Sequence, residues 1–298
     1  MERSVKNQTT MDFSIFTAGM DDLPPSLSEI PEPPHTLYIV GAPLSKDGLY
    51  LAVVGSRTHT SYGADVCDSL IRGLAGSGII IVSGLALGID SVAHRSAIKA
   101  GLRTVALPGS GLSEKVLYPA TNLSLAKEIL AAGGTLASEF EPSFKATPWS
   151  FPKRNRLIAG LCHATLVIEA ADKSGTLITA HLALDYSREV LAVPGPITSQ
   201  NSIGTNLLIK QGATPITRSE DILEVFGLKQ EALFDEKESE IQSLSTTEKE
   251  LWDFLTEPRS RDELFESSDK TTSELNSLLS SLEIKGLIKE EFGEIRRT

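Results

Sequence analysis

Five short segments hold the residues able to do chemistry, and each begins where an apolar run gives way to a turn. Val53-Val54-Gly55-Ser56-Arg57 is a strand-like run ending in Gly-Ser-Arg. Gly55 lets a ligand approach the backbone, Ser56 offers a hydroxyl, and Arg57 offers a forked cation matched to a phosphate. Val82-Ser83-Gly84-Leu85-Ala86-Leu87-Gly88-Ile89-Asp90 repeats the pattern, with His94 one turn further on. Gly84 and Gly88 suit backbone amides turned toward an anion. Asp90 capping a helix, with His94 packed beside it, accounts for that pair without any ligand.

The third segment is Trp149-Ser150-Phe151-Pro152-Lys153-Arg154-Asn155-Arg156, with three cations in four positions and two aromatics just before them. Cations that neutralise phosphates beside rings that stack on bases are the ingredients of a single-strand site. A charged first turn on a solvated helix face is the competing reading. It is weakened by the cost of Lys and Arg near a helix N-terminus, which favours an external anion or an acidic partner. In the fourth, Val167-Ile168-Glu169 leads to Asp172-Lys173-Ser174-Gly175-Thr176 and an apolar helix. Free amides, two hydroxyls and the Lys173 cation at one helix N-terminus make this the best phosphate cradle in the chain, with Ser174, Gly175 and Thr176 as its lining. It fits neither a Walker A nor a dinucleotide-binding pattern. The fifth, Val193-Pro194-Gly195-Pro196, adds a strand-end loop that turn chemistry explains by itself.

Positioning these loops requires strands and helices in alternation. Apolar β-branched runs recur near 36–40, 50–55, 79–83, 103–107, 135–138, 165–170, 189–193 and 214–217. Helical spacing appears between them, as in Cys67, Leu70, Ile71 and Leu74. Further helical segments fall at 122–131, 175–187 and 219–226, the last with Ser219 as expected N-cap. This predicts an α/β class fold with a doubly wound, mostly parallel sheet covered on both faces. Ligands bind such sheets beyond the carboxyl ends of the strands, where all five segments lie.

Residues 1–34 are polar and end in Pro31-Glu32-Pro33-Pro34, which reads as a lead-in to a domain spanning 35–227. Residues 228–243 read as an acidic linker. In 244–298, S/T-x-x-E patterns at Thr247/Glu250, Ser260/Glu263 and Thr271/Glu274 announce three helix starts. Two strands expected to meet at Gly293 complete a small winged-helix domain.

The net charge of −11 argues against a basic global field. By segment it is −4 over 1–45, +1 over 46–227, −3 over 228–243 and −5 over 244–298, so any anion site belongs to the central region. The expected recognition helix has cations only at its ends, Lys270 and Lys285, which favours a protein contact or an auxiliary role over duplex readout. Two cysteines and five scattered histidines support neither a disulfide framework nor a metal site, and no cofactor is expected. Without an apolar run long enough to span a bilayer or a cleavable leader, the expectation is a cytoplasmic protein.

In this order, GSR, SGLALGID with His94, FPKRNRLIAGL, EAADKSGTLITA and AVPG resemble the DNA-processing protein A (DprA/Smf) family over about 30–227. The resemblance implies an extended Rossmann-like fold, single-stranded DNA binding, a homodimer through the α/β domain, and loading of the recombinase RecA in natural transformation. It implies a binding protein, not an enzyme. By position, the family's DNA-contacting arginine falls on Arg57 and its R-N-R element on Arg154, Asn155 and Arg156. Many relatives also carry a lysine shortly before that element, for which Lys145 is the candidate. The apolar stretch around Ile222, Leu223, Val225 and Phe226 is a candidate dimer contact, and core packing explains it equally well. Two rival readings remain. The phosphoribohydrolases known as LOG proteins place a catalytic glutamate where Thr179 stands here, and a winged-helix regulator would need a basic recognition helix.

Overall fold

A computed structural model describes residues 14–228, 244–256, 258–267, 270–291 and 294–297. The chain divides into two compact units at Leu228/Lys229. Among the described residues no helix is long and apolar enough to cross a membrane.

The first unit is a nine-stranded sheet. In chain order its strands are β1 (Phe16–Gly19), β2 (Thr36–Gly41), β3 (Leu49–Val54), β4 (Ile79–Ser83), β5 (Thr104–Ala106), β6 (Thr135–Ser138), β7 (Ala164–Val167), β8 (Glu189–Ala192) and β9 (Thr214–Pro215). Across the sheet they run β1-β2-β6-β5-β4-β3-β7-β8-β9. The β1–β2 and β2–β6 pairs are antiparallel and the others are parallel. The eight expected strands all form, and the mostly parallel Rossmann-like sheet is present.

Among the described residues, seven α-helices complete this unit: α1 (Ser61–Arg72), α2 (Ile89–Lys99), α3 (Leu123–Ala131), α4 (Ser150–Leu161), α5 (Gly175–Asp185), α6 (Ile203–Lys210) and α7 (Ser219–Val225). Strand side chains alternate between the two faces. Leu51 and Val53 of β3 pack with Cys67, Ile71 and Ala93 of α1 and α2. Tyr50, Ala52 and Val54 pack with Leu157, Leu161 and Ala180 of α4 and α5. The sheet is thus buried on both sides, which is why its strands read as continuous apolar runs.

Two sequence expectations change. Residues 14–34 are part of the fold: β1 pairs with β2, and Leu23, Leu27 and Ile30 are buried. Ile30 lies where a Cβ on Gly160 would come within 2.6 Å, so this segment is fitted against α4. The N-cap of α7 is Arg218, not Ser219, and Asp221 receives the Thr217 and Arg218 amides at 2.8 and 3.2 Å. Of the two readings of the α7 stretch, Ile222 and Leu223 follow the core one, both being buried against the sheet.

The second unit contains α8 (Thr246–Phe254), β10 (Arg259–Ser260), α9 (Arg261–Glu266), α10 (Thr272–Ile284), β11 (Ile288–Glu291) and β12 (Glu294–Arg297). Its three-stranded antiparallel sheet has the order β10-β12-β11, and Leu251, Leu275, Leu279, Leu282 and Ile295 form the core. Ser260/Glu263 and Thr271/Glu274 form the expected capping boxes. The first box is Ser245/Glu248, two residues earlier than expected, with the Ser245 amide 2.8 Å from the Glu248 carboxylate. The expected turn at Gly293 and the linker 229–243 lie outside the described residues.

The strand-end loops of the first unit interlock through glycine. Gly88 has φ +80°, and a Cβ there would collide with the Ser56 carbonyl oxygen and meet the Arg57 Cα at 2.6 Å. Gly88→Ala should therefore lower the urea-unfolding free energy by about 1–3 kcal/mol. Gly175→Ala, where nothing lies within 4 Å, should stay within about 0.5 kcal/mol of the parent.

Candidate nucleic-acid interface

Strand β3 pairs with β4 on one side and with the later strand β7 on the other, so chain order reverses across it. Crevices form at such reversals beyond the carboxyl ends of the strands. Val54 lies beside Val167, so the loops after β3 and β7 open onto the same edge. A groove of about 550 Å³ occupies this place, bounded by residues 55–58, the first turns of α4 and α5, and Asn201.

The β3 loop is fixed from several directions. Gly55 has no room for a Cβ, which would meet Ile89 at 2.6 Å, and its carbonyl accepts the Thr176 hydroxyl at 3.1 Å. Ser56 is 8% exposed, and its Oγ accepts the Thr58 amide at 3.2 Å, so that hydroxyl serves the loop. Thr60 caps α1 and donates its hydroxyl and amide to Glu169 at 2.5 and 2.9 Å. Arg57 is left exposed over the Phe151 ring, 5.3 Å from its centre, and makes no ion pair among the described residues.

The β7 loop supplies the facing wall. Ser174 caps α5 by accepting the Thr176 amide at 3.2 Å. Lys173 is exposed, lines the groove, and has no ion pair among the described residues. Neither α4 nor α5 has an acidic residue in its first turn, and α4 has no side-chain cap at all. Both helix dipoles therefore present uncompensated positive ends toward this rim.

The R-N-R element does not form a single grip. Arg154 is 5% exposed and lies beneath the groove, donating to the Gly84 carbonyl at 2.6 Å and to the Leu107 carbonyl. Its Nε donates to Asn155 Oδ1 at 3.1 Å, leaving Asn155 half-buried on the groove wall. Gly84 is buried as well, and its amide, with that of Ala86, is donated to Asp90 at 3.0 and 3.2 Å. The glycine turn expected to cradle an external anion thus holds an internal one. Burial lowers Arg154 to about 10, against the pull of Asp90. Burial likewise raises Asp90, against the charge of Arg154 and the two amides.

Arg156 points elsewhere. It is 8% exposed and donates to the Glu139 carboxylate and to the Glu32 carbonyl. Lys153 shares the same carboxylate at 2.8 Å, and both cations line a second groove walled by Pro31–Thr36. The structure therefore joins Arg57, Asn155 and residues 173–176 in one groove. It sets Arg154 and Gly84 under that groove and Lys153 and Arg156 outside it. Helical periodicity separates these neighbours, because positions one or two apart point in different directions. Sequence reasoning missed Asn201, which donates to the Thr58 carbonyl at 3.1 Å, and Tyr118, whose ring lies 5.6 Å from that of Phe151. Neither sits in a motif, and only the folded chain brings them to this edge.

The sequence profile of DNA recombination-mediator protein A matches residues 14–227. This chain belongs to that family. It is 42% identical over 216 residues to protein Smf of Escherichia coli K12 and 41% identical over 199 residues to DNA processing protein DprA of Bacillus subtilis 168. These alignments cover 72% and 66% of this chain and 57% and 66% of those proteins, so the chain spans less than two thirds of either. The fold is similar to that of DprA from Streptococcus pneumoniae, with a TM-score of 0.65 and 38% identity over 72% of this chain and 74% of that one. It is also similar to DNA processing protein A from Helicobacter pylori, whose structure describes a unique single-stranded DNA binding mode. That match has a TM-score of 0.64 and 32% identity over 72% of this chain and 96% of that one.

The two families of arginine differ in what their loss should do. Arg154→Ala strips the Gly84 and Leu107 carbonyls of their buried donor and empties the space of the guanidinium, and should cost about 2–5 kcal/mol in urea unfolding, whereas Arg57→Ala should change stability by less than about 0.5 kcal/mol.

His94, fully enclosed with Nδ1 2.7 Å from the Thr104 hydroxyl, is lowered by burial and the nearby Arg154 from 6.5 to about 3. The unfolded chain takes up this proton first as pH falls, so stability is present above 6.5 and lost toward about 3. Unfolding midpoints measured from about pH 7 to pH 4 should drop less steeply for His94→Gln than for the parent.

Proposed function

We propose that this chain binds single-stranded DNA in the groove between the β3 and β7 loops. The observation that carries this reading is Arg57, a cation without an acidic partner among the described residues, held over an aromatic ring at the crevice. Lys173 adds a second cation across the groove, and the N-termini of α4, which has no side-chain cap, and of α5, which has no acid in its first turn, add amide donors for phosphate oxygens. Phe151 adds a face on which a base can stack. A flexible single strand fits a crevice of this kind, whereas a duplex presents its phosphates on a stiff, wider cylinder. The Helicobacter pylori relative's single-stranded DNA binding mode supports the same ligand for this chain.

The family description as a recombination mediator supports a role in which the bound strand is protected and passed to RecA recombinase, as in natural transformation within the cytoplasm. A homodimer through the α/β unit fits the apolar residues left in water on α5 and α6, with Ile178 44%, Leu184 50% and Leu207 40% exposed. The second unit, with three helices and a small sheet among its described residues, suits a winged-helix module in an auxiliary role, since its α10 face is lined by serines and Asn276 with Lys285 at one end. A glycosidic hydrolase reading has no owner for its acid: Thr179 is buried at that position, and Glu169 is engaged by Thr60.

Fluorescent oligo(dT) and the matching duplex, titrated over a salt series, test this reading. Single strands should bind tighter, and Arg57→Ala and Lys173→Ala should each weaken binding about tenfold and reduce the salt slope by about 0.7. Equal affinity for the duplex, or an Arg57→Ala protein that binds like the parent, would overturn it.

A further inference from the structure

Beyond the groove, the N-terminus of α4 carries an aromatic cluster that the R-N-R cations do not explain. Phe140 and Phe144 stack with centroids 4.6 Å apart and planes 15° from parallel. Trp149 stands edge-on to both, 5.7 Å from Phe140 and 5.6 Å from Phe144. Trp149 is nevertheless 54% exposed. A tryptophan packed against two other rings is restricted in its rotamers, yet this one leaves more than half of its surface in water. That combination is costly unless something flat covers it.

Three features indicate what does. Trp149 is the N-cap of α4, two residues before Phe151, whose ring sits under Arg57 in the groove. The helix start between the two rings has no side-chain cap and no acid in its first turn, so it attracts a phosphate. Lys153 reaches the same cluster, 5.7 Å from the Phe140 ring and 6.0 Å from the Trp149 ring, but its charge is already shared with Glu139 at 2.8 Å. The platform therefore offers a π-face with little free positive charge. One ring is also far too small for a protein interface, which buries on the order of 1,000 Å² or more.

We infer that Trp149, held by Phe140 and Phe144, is a stacking platform for an unpaired nucleobase of a strand that leaves the Arg57 groove across the α4 N-terminus. The inference rests on the proposed single-strand binding. It makes Trp149 a determinant of site length and leaves phosphate neutralisation to Arg57 and Lys173. Loss of the platform removes a contact that is insensitive to salt, so affinity and salt slope separate.

The test uses the full chain with Trp252→Phe, which leaves Trp149 as the single tryptophan. Oligo(dT) of about 4 and about 16 nucleotides, spanning the usual range of single-strand site sizes, is titrated while tryptophan emission and labelled-DNA anisotropy are followed. The long oligomer should quench Trp149 with the same midpoint as the anisotropy change, and the short one should quench it little. Trp149→Ala should weaken the long oligomer about tenfold with an unchanged salt slope, and Trp149→Phe should recover most of that loss. Thermal melting of both variants excludes misfolding as the cause.

Unquenched Trp149 emission at saturating long oligomer, with binding still dependent on Arg57, would overturn the platform and leave the groove standing. Absence of oligonucleotide binding by the parent protein would overturn both. A Trp149→Ala protein that binds DNA normally but changes its sedimentation would identify the ring as a protein contact instead.

Discussion

The guanidinium of Arg154 is the contact on which the geometry of the groove depends. It reaches from α4 to the carbonyls of Gly84 and Leu107, which terminate β4 and β5, and so pins the helix across the carboxyl edge of the sheet. Asp90 balances its charge and at the same time closes the Gly84–Ala86 turn by accepting two amides. Gly84 has to be glycine, because a Cβ would occupy the space of the guanidinium. A buried charge of this kind adds little net stability compared with a well-packed apolar replacement, but removing one partner is expensive. What the pair supplies is position: with α4 fixed, Phe151 and Asn155 reach the groove and Arg57 lies above them.

The electrostatics of the unit follow from where its acids are placed. A chain with a net charge of −11 repels a polyanion at long range, yet attraction inside a groove depends on the charges within about a Debye length. Asp90 and Glu169, the acids closest to the floor and the β3 loop, are buried and occupied by amides and by the Thr60 hydroxyl. Glu139 takes up Lys153 and Arg156 on the far side of α4. Arg57 and Lys173 are left to face the opening, with the positive ends of α4 and α5 beside them. Arg154 contributes from beneath, where low dielectric screens its field less than water would.

The N-terminal segment ties into the same design. Residues 14–34 carry β1 and a row of buried side chains, and their last residues wall the second groove, where the Glu32 carbonyl accepts Arg156. A segment that is polar on average thus contributes Leu23, Leu27 and Ile30 to the core. In the second unit, the same local economy appears in Glu248, which Lys285, Ser281 and Ser245 together hold down at about 2.

Much of this protein is determined locally. Alternating apolar runs and helical spacing specify the strands and helices, since side-chain period and burial are properties of short stretches of chain. Glycines at strand ends mark the loops, and Gly55, Arg57 and residues 173–176 reach one edge because β3 and β7 are neighbours in a parallel sheet. The fate of each cation was decided only by tertiary structure. Lys153, Arg154 and Arg156 are chemically equivalent in a list of residues, but the helix turns them toward a shared carboxylate, a buried floor and a second groove. Their partners, Glu139 and the Gly84, Leu107 and Glu32 carbonyls, come from other parts of the chain. Whether a guanidinium meets solvent or an internal acceptor depends on what the fold brings within about 3 Å, and periodicity carries no information about that.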